Sequence, residues 1–136
     1  MIEGKYSGRP FDPSRAGTRV QRLDFRRAHL TERGVARVEA HLERFGGEAL
    51  RERQMLERLK ETLAGTRELT DAARRFYTHE LREYVRYRLL GQTEGQPDSA
   101  DAAHDLWNNA HTAALEDYQL REGPGVLYDR DVEDRR

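Results

Sequence analysis

The chain contains no cysteine, which removes disulfide bonds and thiolate metal sites from consideration. An excess of charge of one sign is also missing. With 24 lysines and arginines against 25 aspartates and glutamates, the formal net charge is −1, so overall charge points to neither nucleic acid nor a membrane surface. No apolar run approaches the roughly 20 residues of a membrane-spanning helix, and the residues after Met1 show no apolar stretch of the secretory-signal kind. A glycine-rich phosphate loop and a Gly-x-Ser-x-Gly elbow are absent, leaving a dinucleotide cofactor or a serine nucleophile without support. The expectation is a soluble domain without stable membrane association, either cytosolic or cut from a larger protein.

The 136 residues suffice for one domain, and 36% apolar against 36% charged residues means a lean core under a heavily charged surface. Arginine, glutamate, leucine and alanine dominate, which favours helix. A mainly α single domain of about four helices follows, with a small N-terminal β element allowed. Residues 1–19 carry Gly4, Gly8, Pro10, Pro13 and Gly17 and read as an extended arm or linker. Residues 20–128 form the expected folded domain, and the charged residues 129–136 read as a disordered tail. Weak alternation of Val20, Leu23, Phe25, Ala28 and Leu30 allows one or two short strands.

Thr31 offers the cap for a first helix to Phe45, with Val35, Val38, Leu42 and Phe45 inward. A second helix over residues 48–64 turns Met55, Leu56, Leu59 and Leu63 inward. Thr70 caps a third that ends at Leu90-Gly91, and Asp98 or Ser99 caps a fourth reaching Tyr118. Val126-Leu127-Tyr128 reads as a short apolar strap.

The third helix carries the least ordinary pattern. At about 100° per residue, Phe76, Glu80, Glu83, Tyr84 and Tyr87 share one face, so Glu80 lies among aromatics where a core residue belongs. An ionised carboxylate there needs a partner or takes a proton. On the fourth helix, Ala100, Ala103, Trp107, Ala114, Leu115 and Tyr118 form the expected inward face. His104 and His111 share it, with Asn108 at its edge. If the alanines let these helices pack closely, Glu80 meets His111 in the interior.

Such a pair is an acid–base device, because a carboxylate fixes the imidazole tautomer and raises its pKa. In RNA cleavage one group deprotonates a 2′-hydroxyl and another protonates the leaving oxygen. His79, at the rim, could supply the second group. Arg82 or Arg86 would neutralise phosphate, and Tyr84 and Trp107 could stack nucleobases. No cofactor is needed for that chemistry. A divalent metal is a separate reading, with His79, Glu80, His104 and His111 as ligands, or His79 and Glu83 at i,i+4. His79-Glu80-Leu81-Arg82-Glu83 is not the zinc-protease motif, because Glu83 stands where the second histidine belongs. His41 reads as a surface or helix-terminal residue, and His29 has no supporting context. Beside these stands a different class: a non-enzymatic helical binding or regulatory module in which the same groups form a buried hydrogen-bond network.

Two segments taken together, Phe76-Tyr77-Thr78-His79-Glu80-Leu81-Arg82-Glu83 with Arg86-Tyr87, and Leu106-Trp107-Asn108-Asn109-Ala110-His111-Thr112-Ala113 with Leu115-Glu116-Asp117-Tyr118, resemble C-terminal effector domains of bacterial polymorphic toxins. These are the modules of filamentous-haemagglutinin-like and Rhs-type proteins. His41-Leu42-Glu43-Arg44-Phe45 fits the same pattern, and the resemblance covers residues 25–128. It implies delivery by a carrier protein into the cytoplasm of a competing cell, a cognate immunity protein, and frequently a nuclease. On it, His79, Glu80 and Glu83 carry over from the first motif, Asn108 and His111 from the second. The combined expectation is a monomeric toxin effector that cleaves nucleic acid, RNA ahead of DNA.

Overall fold

Three side-chain caps start three helices where the sequence places them. In the computed structural model, which describes residues 1–134, Thr31 Oγ1 accepts from the Gly34 amide at 2.9 Å to open α1 (Glu32–Glu43). Thr70 Oγ1 accepts from the Ala73 amide at 3.0 Å to open α3 (Asp71–Leu89). Ser99 Oγ accepts from the Ala102 amide at 3.1 Å to open α4 (Ala100–Asp117). Between α1 and α3 lies α2 (Leu50–Leu63), and α3 stops at Gly91, whose φ of +87° lets the Gln92 amide reach back to the Tyr87 carbonyl at 2.9 Å. The chain is a mainly α single domain with a small two-stranded sheet at its N-terminus.

The main core joins Val35, Val38 and Leu42 of α1, Met55, Leu56 and Leu59 of α2, and Ala73, Phe76 and Tyr77 of α3. Leu63, expected inward, is exposed at the end of α2. On α4 the buried positions run from Asn109 to Asp117, whereas Ala100 and His104 are exposed. The first turns of this helix extend past its neighbours, which corrects the inward face expected there.

Residues 1–19 are a folded element, not a free arm. β1 (Ile2–Glu3) pairs antiparallel with β2 (Pro10–Phe11), placing Ile2 opposite Phe11. The turn between them is tied to α4, where the Glu116 carboxylate accepts from the Tyr6 amide at 3.0 Å and the Ser7 amide at 2.7 Å. Phe11 and Ala16 then pack on Ala113. The short strands expected in 20–30 do not form. That stretch is irregular, with a 3-10 turn at Phe25–Arg27 capped by Asp24.

One buried ion pair organises this N-terminal layer. Arg86, fully buried on α3, donates through Nε and Nη2 to the two oxygens of Asp117 on α4 at 3.0 and 2.8 Å. Its Nη1 reaches the carbonyls of Ala16 and Thr18 at 2.7 and 2.6 Å, and Nη2 also reaches that of Arg19 at 3.3 Å. Asp117 Oδ1 takes the Gln21 amide at 2.8 Å as well. At the C-terminus, α5 (Arg130–Glu133) buries Val132 against the main core, so residues 129–134 are folded where a disordered tail was expected. Residues 135–136 of that expectation lie outside the described residues.

Candidate active site

The third helix places His79 and Glu83 one turn apart on its buried face, and α1 and α4 bring histidines to them. Glu83, 2% exposed, is the hub. Its Oε1 accepts from His41 Nε2 at 2.9 Å. Its Oε2 lies 3.1 Å from His111 Nδ1 and 3.1 Å from His79 Nε2, and those two nitrogens are 3.0 Å apart. Three imidazoles from three helices thus converge on one carboxylate. His111 Nε2 continues outward to Glu122 Oε2 at 3.2 Å.

Glu83 and His111 of this cluster line a cleft of about 370 Å³, with His41 and His79 buried behind them. Glu80, Glu83 and His111 face it, Glu52 and Glu122 stand on its walls, and Trp107, Tyr128 and Leu127 close its apolar side. The Tyr128 hydroxyl donates to Glu52 at 2.8 Å. The Trp107 indole stacks on His111 with centroids 4.5 Å apart, and the Arg9 guanidinium sits 5.2 Å from the indole centroid.

The environment drives these groups apart in proton affinity. Burial raises Glu80 well above the ordinary carboxylate range, with the charges of Glu83 and Glu52 adding to it, which favours its protonated form. Burial acts on Glu83 in the same direction, but hydrogen bonds from His111, His41 and His79 overcome it and hold Glu83 well below that range. Burial lowers His79, keeping it neutral. It also opposes charge on His111, yet the carboxylates of Glu122 and Glu83 on its two nitrogens raise it to about 9. Glu122 is lowered in turn, first by its bond to His111.

Of the residues expected in the site, Glu80, Glu83, His79 and His111 are brought together, but the pairing differs. Glu80 lies 3.7 Å from His41 instead of meeting His111, and Glu83, one turn on, takes the role expected of it. Asn108 belongs to the hairpin: its Oδ1 accepts from Arg9 at 3.0 Å and its Nδ2 donates to the Pro10 carbonyl at 2.9 Å. Arg86 is unavailable to phosphate, with its guanidinium enclosed as described. Arg82 is drawn to the same carboxylate, Nε to Asp117 Oδ2 at 2.9 Å. Tyr84 is half-buried and lines no part of the cleft. Trp107 does line it.

His41 was expected at the surface or at a helix end; it lies in the last turn of α1 but is fully buried. Its signal was present, since Val38, His41 and Phe45 keep the i, i+3, i+7 spacing of an inward stripe. Glu122 had none, because it lies beyond α4. The chain returns there through Gln119, whose positive φ of 52° lets the Leu120 amide bond the Leu115 carbonyl at 2.9 Å.

Among the described residues, two groups have ligand atoms within 4.8 Å of one another, close enough to share a metal ion: His79, Glu83 and His111, and His41, Glu80 and Glu83. His104, one of the ligands considered from sequence, belongs to neither. No protein-family model matches the chain, and no curated protein or solved structure shows similarity to it.

Proposed function

We propose that the cleft is the active site of a bacterial antagonistic toxin effector that cleaves nucleic acid, RNA ahead of DNA. The observation that carries this reading is the convergence of three histidines on the buried Glu83 carboxylate, with Glu83 and His111 themselves lining a cleft. Glu122, ionised at the mouth, takes the proton of a 2′-hydroxyl. The freed oxygen bonds to phosphorus, the bond to the 5′-oxygen breaks, and the neutral carboxyl of Glu80 supplies the proton to the leaving oxygen. The products are a 2′,3′-cyclic phosphate and a 5′-hydroxyl. In the metal-free protein, His111 offers positive charge to the phosphoryl oxygens. Resemblance of the His79-Glu80 and Trp107-Asn108 segments to polymorphic-toxin effectors supports the biological setting, with carrier delivery, action in the target cytoplasm as a monomer, and a cognate immunity protein.

The burial of His41 and His79 favours a second reading, a binding module whose polar core is structural. Incubating the purified protein with RNA and with DNA separates the two. The enzymatic reading expects RNA fragments ending in 2′,3′-cyclic phosphate, lost in a folded Glu122→Gln variant. Intact RNA and DNA under all conditions tried, with and without added divalent ions, would favour the module.

A further inference from the structure

We propose that His79 Nε2, His111 Nδ1 and Glu83 Oε2 form a binding site for one divalent transition-metal ion. Unlike nucleic-acid cleavage, this follows from the positions of three atoms, and it holds whatever the substrate. Their mutual separations are 3.1, 3.1 and 3.0 Å. Nitrogen and oxygen ligands sit about 2.0–2.2 Å from such an ion, so two ligands at right angles lie about 3 Å apart. The three atoms therefore outline one triangular face of an octahedron, the two-histidine, one-carboxylate arrangement that leaves the remaining positions open.

Hydrogen bonding alone serves this triangle poorly. Every pair is at hydrogen-bond distance, yet two N–H groups directed into it would oppose each other. One of the three contacts is always left without a proton of its own. An ion removes that conflict, because a metal accepts a lone pair from each of the three atoms and needs no proton between them.

The surroundings are those of a ligand set. His79 and Glu83 are fixed one turn apart on α3, and His111 comes from the adjacent α4. Glu122 accepts from His111 Nε2 at 3.2 Å, orienting the ring from outside as carboxylates orient metal-bound histidines. His41 holds the other oxygen of Glu83 at 2.9 Å. Glu83 and His111 also face the cleft, which gives an ion an entry path and gives water or substrate access to its open positions.

The test is titration of the chelator-treated 136-residue chain with Co²⁺ and with Zn²⁺, read by calorimetry and by emission of its single tryptophan. Because Trp107 stacks on His111, occupancy of the triangle changes its fluorescence. Wild type is expected to take up one equivalent with a matching change in emission and with visible Co²⁺ absorption of low intensity, as six-coordination gives. Glu83→Gln and His111→Gln are expected to weaken uptake by at least about 100-fold, and Glu122→Gln by about 10-fold. His104→Ala, outside the triangle, leaves it unchanged. Circular dichroism establishes that each variant is folded, and Glu122 lies at the exposed mouth, where substitution spares the core. No uptake by wild type overturns the proposal. So does uptake that leaves Trp107 emission unaltered and is indifferent to Glu122→Gln.

Discussion

Replacing Arg86 with methionine separates two roles for this side chain. From sequence it was a phosphate contact; in the structure it is a clamp whose donors are engaged by Asp117 and by the carbonyls of Ala16, Thr18 and Arg19. Both partners of the ion pair are 0% exposed. Methionine fills much of the same space but leaves the Asp117 carboxylate facing only Arg82 and the Gln21 amide. Breaking a buried pair from one side costs about 3–5 kcal/mol, because the remaining charge stays desolvated. Against a typical total of about 5–15 kcal/mol that is a large fraction, and it corresponds to a fall in melting temperature of roughly 10–20 °C. Thermal and urea unfolding followed by circular dichroism measure it. The double variant Arg86→Met/Asp117→Leu should recover part of the loss, because the fully buried carboxylate is gone and the cation left without it, Arg82, is the partly exposed one. Below its melting transition the single variant should retain whatever cleavage the wild type shows. A stability change under about 1 kcal/mol together with abolished cleavage would refute the clamp and restore the phosphate contact.

Three further expectations concern the site and the tail. Glu80→Gln replaces a carboxyl whose protonated form burial already favours, so stability at pH 7 should be equal to or above wild type while cleavage is lost; a strongly destabilised variant would mean Glu80 is ionised in the fold. In chelator-treated protein, His111 is raised from 6.5 to about 9, so its contribution is fully present below the lower value and is lost as pH rises through the upper one. Urea midpoints should therefore fall across that interval, by an amount on the order of 3 kcal/mol, and a flat profile would contradict the charged His111. Val132→Ala removes two methyl groups from a fully buried position on α5 and should cost about 2 kcal/mol in urea unfolding, whereas a free tail would show no change.

Helices were legible because their signals are local. Thr31, Thr70 and Ser99 cap where expected, and the stripes of α1 and α3 face the core. The N-terminal hairpin was not legible, because what holds it comes from about a hundred residues away: Glu116 caps its turn and Arg86 with Asp117 ties down the chain that follows. Glycine and proline there read as a linker, since local sequence says nothing of a distant carboxylate. For the same reason, helical spacing found the polar groups of the site but not their partners. Glu80 and Glu83 lie three residues apart on one face, and only the rotation of α4 against α3 decides that His111 meets Glu83. The mouth residue Glu122 depends on a left-handed turn at Gln119, a conformation that glutamine does not announce.

The most direct test of the active-site reading is induced cytosolic expression in bacteria, wild type beside Glu122→Gln and His111→Ala, with total RNA and DNA separated on gels. The account predicts growth arrest with degraded RNA for wild type, and normal growth with intact RNA for both variants at equal levels of folded protein. Normal growth with the wild-type protein verifiably expressed and folded, or undiminished RNA degradation by the folded variants, would contradict it.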